Sequence, residues 1–412
     1  MDLLGLTSPI ASSRRRFLIA AGATGIAPWA NSAWAQRSVN LVLPGGPSAR
    51  PLTSAFPGKL DMILQRTRPP LLETPMAVFD KHLFTPNDRF FVRWHWADIP
   101  TSIDVAAFRL NIRGHVGRSL SLTLAELLAM PRVEMAAVNQ CSGNSRGLFQ
   151  PRVAGGQWAH GAMGNAKWVG VSLRYLLDLA GVRPGATEVR FAGLDEPLVA
   201  GAPDFAKSLA VDHARDGEVM VAFLMNGEQL PLLNGFPLRL IVPGWYSTYW
   251  VKMLSEIEVL DKPDIGYWMA KAYRVPDMPG ANVAPGAKGY RTVPISRMTP
   301  RSWITNIADG ARLPAQHKLS VGGIALGGDA GVAKVEISGD GGRSWTEARL
   351  GADSGKYSFR RFDGVLSGFP AGRRTLMARC TSNAGIAQSM TPNWNPGGFM
   401  RGCVEKTEVV IG

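Results

Sequence analysis

An α+β domain followed by an all-β sandwich is the architecture that the patterning of this 412-residue chain predicts. Three observations carry that expectation. Length and a 46% hydrophobic content suffice for two cores, because domains usually run about 100–200 residues. From Phe84 to about Leu260, short strand-like runs mix with helical ones without regular strand–helix–strand repeats, which argues against a doubly wound sheet. Beyond a Pro/Gly-rich linker at 276–288 the texture changes to short alternating strands with frequent turns, the pattern of a sandwich.

The amino terminus carries Ser13-Arg14-Arg15-Arg16-Phe17-Leu18-Ile19, then a Gly/Ala-rich apolar run to Trp29, then Ala33-Trp34-Ala35 as a small-x-small cleavage site. This order reads as a twin-arginine export signal over residues 1–35. A membrane span is not expected, because the run is shorter than the roughly 20 residues that cross a bilayer and contains Gly22, Gly25 and Pro28. Twin-arginine export carries folded proteins, so a cofactor loaded in the cytoplasm and a periplasmic destination are the expectation. Residues 36–75, punctuated by Arg50-Pro51, Arg66 and Pro69-Pro70, read as an arm wrapped across the first domain and not as a packed element. The first domain is then expected over 36–285 and the second over 286–412.

Within the first domain, residues 108–112 read as a strand, and residues 122–128 and 172–180 as helices that Thr123 and Ser172 can cap. In the second, Val335-Glu336-Ile337-Ser338, Gly339-Asp340-Gly341-Gly342 and Ser344-Trp345-Thr346-Glu347-Ala348 read as strand, turn and strand. Residues 374–381 alternate in the same way.

The formal net charge is +13, of which three arginines belong to the export signal. The basic residues are scattered and not gathered into runs with stacking aromatics, so nucleic acid is not the expected partner. A small anionic substrate and an electrostatically steered protein partner account for the balance better. Only Cys141, Cys380 and Cys403 are present, so no disulfide framework holds the fold; Cys380 and Cys403 can pair, leaving Cys141 as the odd thiol. His82, His115, His160, His213 and His317 stand apart in sequence and offer no zinc-type cluster. Without a P-loop or dinucleotide fingerprint, ATP and NAD are not expected.

The segment Val138-Asn139-Gln140-Cys141-Ser142-Gly143-Asn144-Ser145-Arg146-Gly147 holds the chemistry. A lone thiolate is a soft ligand for a transition metal, and an arginine five residues on can lower its pKa and hold an oxyanion beside that metal. Gly143 and Gly147 favour a ligand-facing loop over a smooth core strand.

This segment resembles the molybdenum-binding cysteine motif of the sulfite oxidase family. The resemblance extends, in the same order, to Phe90-Phe91-Val92-Arg93-Trp94-His95, Met225-Asn226-Gly227-Glu228-Gln229-Leu230-Pro231, Gly235-Phe236-Pro237-Leu238-Arg239, Val242-Pro243-Gly244 and Trp250-Val251-Lys252. It implies a molybdopterin-binding first domain and an immunoglobulin-like second domain that pairs two copies or docks a subunit. It assigns the metal to Cys141 and cofactor contacts to Phe91, Val92, Arg93, Trp94, His95, Asp195, Asn234, Arg239, Trp250, Val251 and Lys252. Arg93 and Arg146 match substrate-binding arginines, which offer permanently charged, bidentate donors. Trp158 matches an indole lining that pocket, and Tyr273 a tyrosine that assists beside the metal, with His95 close by.

Three departures limit the transfer. Asn234 stands where many relatives have histidine, and Tyr249 where animal members have arginine. At the place of a third substrate arginine the alignment offers Lys406, with Arg401 close by. The implied activity is oxidation of sulfite to sulfate, with two electrons passed one at a time to a c-type cytochrome. No haem is expected in this chain, which has no Cys-x-x-Cys-His attachment motif. Dehydrogenation of carrier-bound sulfane sulfur is the alternative.

Overall fold

The computed structural model describes residues 37–412, which form one compact unit; the expected export signal lies outside the described residues. Strands dominate, and the few helices are short. Residues expected to be an unpacked arm are instead four strands, Ser38–Asn40, Ala49–Thr53, Met62–Arg66 and Leu71–Glu73, which meander antiparallel into Val92–Arg93. Of the residues that suggested an arm, Pro69-Pro70 occupy the turn between the third and fourth strands, while Pro51 lies within Ala49–Thr53, opposite Ser38. Met62, Leu72, Val92 and Trp94 pack with Leu233 and Met253, so this sheet delivers Arg93 and His95 to the interior.

A second sheet runs in the order Ala206–Ala210, Glu188–Ala192, Glu256–Leu260, Arg109–Gly114 and Leu120–Thr123. Glu256–Leu260 lies parallel to Arg109–Gly114, and its other pairings are antiparallel. Residues 122 and 123, expected to be helical, close this sheet. The helix begins after them, at Leu124–Ala129, with Thr123 in a reciprocal capping box with Glu126. The helix expected at 172–180 is Leu173–Ala180; Ser172 makes no side-chain cap, and Gly181 at φ +70 ends it.

The third sheet orders Glu228–Gln229, Met220–Met225, Met163–Ser172 and Val133–Gln140, with Arg239–Ile241 also paired to Met220–Met225. Val133–Gln140 passes from exposed to fully buried along its length, so it carries the chain inward and ends at Cys141.

The second domain is a sandwich of two sheets. One orders Pro300–Ile304, Gln316–Gly327, Arg360–Phe369 and Arg349–Leu350, the other Ala311–Leu313, Lys406–Ile411, Gly372–Ser382, Val332–Ser338 and Thr346–Glu347. The hairpin expected around Gly339–Gly342 pairs Glu336 with Glu347. Cys380 and Cys403 are buried free thiols; Gln388 stands between them, accepting from Cys380 N and donating to Cys403 O, so the suggested disulfide is absent. Among the described residues no helix is long and apolar enough to cross a membrane.

The sandwich packs on the first domain through its apolar edge. Phe359, fully buried, meets Phe79 edge-on at 5.9 Å and Trp303 at 6.5 Å, within the same core cluster as Trp168 and Leu176. Asn165 Nδ2 donates to Ser358 Oγ at 2.9 Å across this junction. Phe359→Ala is expected to cost about 3–5 kcal/mol and, because the core is shared, to lower the stability of both parts in a single transition followed by circular dichroism and tryptophan fluorescence. Separate transitions with only the sandwich destabilised would show that the shared core is not cooperative.

Candidate active site

Cys141 leaves the end of Val133–Gln140 in a loop fixed by its own backbone. Cys141 N donates to Ala162 O at 2.9 Å, Asn144 N donates back to Cys141 O at 2.9 Å, and Ala162 N donates to Asn144 Oδ1 at 3.0 Å. The chain then turns sharply at Ser145 (φ +67) into the single turn Arg146–Leu148. A Cβ at position 143 would sit 2.5 Å from Arg146 Nη2, so any side chain there would displace the guanidinium. The thiol is free, 5% exposed, and opens onto a cavity also lined by Arg93, Arg239 and Lys252.

Positive charge surrounds that cavity. Arg239 is fixed between two rings, Trp168 at 5.4 Å and Trp250 at 5.9 Å, and donates to Asn234 O at 3.0 Å and Asn139 Oδ1 at 2.9 Å. Lys252 lies over Trp94 at 4.2 Å and donates to Arg93 O at 2.9 Å. Behind them Lys59 donates to Phe90 O at 3.0 Å and to Asn234 Oδ1 at 2.5 Å. Asn234 Nδ2 donates to Phe91 O, so in place of a histidine this chain uses an amide that ties Lys59 to the residue just before the Val92–Arg93 strand.

Burial pushes these cations toward neutrality. Lys59 falls to about 7 and Arg239 to about 9, chiefly by loss of water, with Arg239 also opposing Lys59. Lys252 is lowered by burial and then by Arg239. Asp88 pulls Lys59 back up and Asp195 answers Lys252; Asp195 is itself raised by burial, against the pull of Lys252.

Five residues of the cavity wall hold a buried polar atom without a protein partner: Arg93 Nη1, Asn139 Nδ2, Ser142 Oγ, Thr248 Oγ1 and Arg239 Nε. Each such atom costs about 1–3 kcal/mol when left unpaired, so the set together rivals the whole stability of a domain. A polar, anionic group of molybdopterin type, with a phosphate for Lys252 and Arg239 and a soft metal for the Cys141 thiolate, fits this donor set.

Another stretch of the cavity wall is aromatic. His95 Nε2 and Tyr273 OH are 2.6 Å apart, and the imidazole is stacked on Phe205 with centroids 3.6 Å apart. His95 is held well below the ordinary histidine value by burial and then by Arg93, Lys252 and Lys207. Tyr273 is raised by burial, against the pull of Arg93. Both are therefore neutral near pH 7, sharing one hydrogen bond. Tyr273 adopts φ +52, a strained conformation for an aromatic residue, and is kept there by Ile295 N donating to its carbonyl at 2.8 Å and by stacking on Phe399 at 5.4 Å.

Of the residues singled out in the sequence, Phe91, Arg93, His95, Cys141, Asn234, Arg239, Trp250, Lys252 and Tyr273 line one cavity. Val92, Trp94, Val251 and Asp195 stand behind that wall, and Trp94 Nε1 is committed to Leu233 O at 3.0 Å. Arg146 flanks the cavity, 8% exposed, packed at 5.0 Å on Phe399, and its charge interacts with Cys141, Tyr273 and Arg93. Trp158 is a core residue at 1% exposure, outside the cavity lining, because the loop folds it inward against Gly156.

Neither proposed third cation reaches the site. Lys406 is exposed on a strand paired with Met377, and Arg401 is bound to Glu405. The cation that sequence reasoning missed is Lys207, fully buried, donating to Trp268 O at 2.7 Å and lying 4.6 Å from the Tyr249 ring and 5.9 Å from that of Tyr273. A lysine set into the run Phe205-Ala206-Lys207-Ser208-Leu209 was the available signal, since lysine is almost never fully buried without cause. Tyr249, in place of the arginine of animal members, spends its hydroxyl on Ile295 O at 2.6 Å.

Comparison with known proteins agrees with this geometry. Residues 96–268 match the oxidoreductase molybdopterin binding domain, and residues 292–403 the Mo-co oxidoreductase dimerisation domain. The chain is 35% identical over 323 residues to sulfite oxidase of Gallus gallus, covering 75% of this chain and 68% of that protein. It is 30% identical over 298 residues to sulfite oxidase of Arabidopsis thaliana, covering 69% and 74%. Mitochondrial sulfite oxidase of Homo sapiens is 30% identical over 360 residues, covering 84% of this chain and 65% of that protein. Among solved structures, the sulfane dehydrogenase SoxCD of Paracoccus pantotrophus superposes with a TM-score of 0.68 at 25% identity, over 82% of this chain and 83% of that one. With the cysteine loop, the cationic cavity and both family matches in sequence order, the chain belongs to the sulfite oxidase family of molybdopterin-binding oxidoreductases.

Proposed function

We propose that this protein oxidises sulfite to sulfate, taking one oxygen atom from water and releasing two protons and two electrons. The observation that carries the reading is the Cys141 thiol opening onto a cavity walled by Arg93, Arg239 and Lys252 and closed by the His95–Tyr273 pair. A molybdenum–molybdopterin group bound there, with Cys141 as its protein ligand, would supply the two-electron redox and oxygen-transfer chemistry that side chains lack. Lys252 and Arg239 would hold its phosphate, and its remaining polar edge would give Asn139, Ser142 and Thr248 the partners they otherwise lack.

The side chains then act on an anionic substrate. Arg93 and Arg146 draw sulfite in and orient it by permanent charge, with Lys207 adding a third positive centre behind Tyr273. Tyr273 OH and neutral His95 Nε2 hold one proton between them, ready to accept or pass on the protons that water releases. The electrons are expected to leave one at a time to a c-type cytochrome, subunit or soluble, after twin-arginine export to the periplasm, and two copies are expected to pair through the sandwich.

The second reading, dehydrogenation of carrier-bound sulfane sulfur, gains support from the likeness to SoxCD and from the absence of Lys406 and Arg401 from the cavity wall. Sulfite-dependent reduction of ferricyanide by the molybdenum-loaded protein separates the two. Turnover supports sulfite as substrate; no turnover, with turnover on a persulfide-bearing carrier, favours the sulfane reading.

Cys141→Ser should retain the fold and lose at least about 100-fold of sulfite oxidation, since it removes the soft ligand. Full activity in the serine variant would sink the ligand assignment.

Lys207 carries the pH dependence. Burial holds it down to about 7, so the folded protein bears an unfavourable ammonium below that value and gains stability as pH rises toward the ordinary lysine range. Lys207→Met should stabilise the protein at pH 6 by on the order of 1–2 kcal/mol, remove that gain at higher pH, and raise KM for sulfite. Thermal melts from pH 6 to 10 and sulfite titrations check it; a destabilised variant with unchanged KM would refute the role given to Lys207.

A further inference from the structure

Both ends of the turn that carries Arg146 are gripped by buried charges of the sandwich. At its start, Ser145 Oγ accepts from Arg301 Nη2 at 3.2 Å and meets His160 Nδ1 at 2.8 Å. At its end, Leu148 O accepts from Arg401 Nη1 at 3.2 Å. The two guanidiniums converge on one carboxylate: Glu405 accepts from Arg301 Nη2 at 2.7 Å and from Arg401 Nε and Nη2 at 2.9 and 3.0 Å.

Arg301 is 0% exposed and Arg401 9%, so neither cation has bulk water as an alternative partner. Burial alone would raise Glu405, but the surrounding cations, Arg401 first, outweigh it and hold the carboxyl down to about 2. His160, pushed down to about 4 by burial, adds no charge at neutral pH. Two more contacts follow the same path: Met400 N donates to Ser142 O at 3.0 Å, and Arg146 Nε donates to Gly397 O at 3.2 Å. The loop from Ser142 to Leu148 is thus built against residues 397–405 as well as against its own domain, where Ser145 N donates to Ala159 O at 2.7 Å and Gly147 N to Trp158 O at 2.9 Å.

We propose that Glu405 is a positioning residue for Arg146: by pairing Arg301 with Arg401 it clamps the 145–148 turn at both ends and sets the guanidinium beside Cys141. The sandwich then completes the anion site of the first domain. The consequence for substrate rests on the reading of Arg146 as a sulfite-binding residue; the clamp itself does not.

The test uses the full-length, molybdenum-loaded protein with Glu405→Gln, which keeps the shape and removes the charge. KM for sulfite in the ferricyanide assay is expected to rise roughly tenfold or more with kcat within about threefold, and inhibition by sulfate to weaken in parallel, at unchanged molybdenum content. Adding Glu405→Gln to Arg146→Gln should raise KM no further, because both act through one group. Additive effects, or a lowered Tm with unchanged KM, overturn the proposal. Hydrogen exchange judges the clamp separately: faster exchange of the 145–148 amides in Glu405→Gln supports it, and unchanged exchange overturns it. If Arg146→Gln leaves KM unaltered, the substrate reading of Arg146 fails while the exchange result still decides the clamp. Arg301→Lys, which keeps charge but cannot reach Ser145 and Glu405 together, replaces Glu405→Gln in every comparison if the latter does not fold.

Discussion

Concentrated positive charge without an equal store of carboxylates is the constraint on which the rest of this molecule depends. Arg93, Arg239 and Lys252 line one cavity wall, with Lys59 directly behind, and Asp195 and Asp88 are the carboxylates set against them. Removing such groups from water is unfavourable by several kcal/mol each unless an anion or a rigid hydrogen-bond frame offsets it. The frame is visible in the carbonyls of Phe90, Arg93 and Asn234 that accept from these side chains, and in the indoles of Trp94, Trp168 and Trp250 that face them. What the frame leaves unsatisfied belongs to residues of the cavity wall, a donor set that suits an anionic cofactor.

The fold serves that arrangement by bringing three separate segments to one point. The meander from Ser38 to Arg93 delivers Arg93 and His95, the long strand ending at Gln140 delivers Cys141, and the segment beyond Leu238 delivers Arg239, Trp250 and Lys252. None of these is rigid by helix propensity; the site is held by sheet pairing and by close-packed rings, in which a shift of one methylene is felt. The strained Tyr273 backbone belongs to the same design, since stacking on Phe399 and the bond from Ile295 hold the phenol against His95.

The sandwich has a part in this beyond covering a flank. Phe399, Gly397 and Met400 touch Tyr273, Arg146 and Ser142, and the Arg301–Glu405–Arg401 cluster lies directly under the cysteine loop. Two domains distinguishable by sequence texture therefore share one core and one site, through Phe359 and Trp303 as well as through charge.

By itself the sequence determined the class of the molecule and most of its cavity wall. The cysteine loop, the arginine and histidine of the Phe91 strand, and the lysine after Trp250 are local words whose chemistry is carried by residue type and order. Alternation and turn residues likewise marked the hairpin at 339–342, and Thr123 marked a helix cap, because those signals span only a few residues. Only the tertiary structure decided what depends on distant approach. Residues 38–73 became a sheet because Leu71 and Leu72 found the Val92 strand, a pairing invisible in Pro and Gly content. Trp158 turned into the core, Lys406 stayed on a surface strand, and Arg401 was claimed by Glu405, while Lys207 in the second sheet came up behind Tyr273. Charge in a sequence has no address until folding removes its water, and that removal settles which cations serve the site and which serve one another.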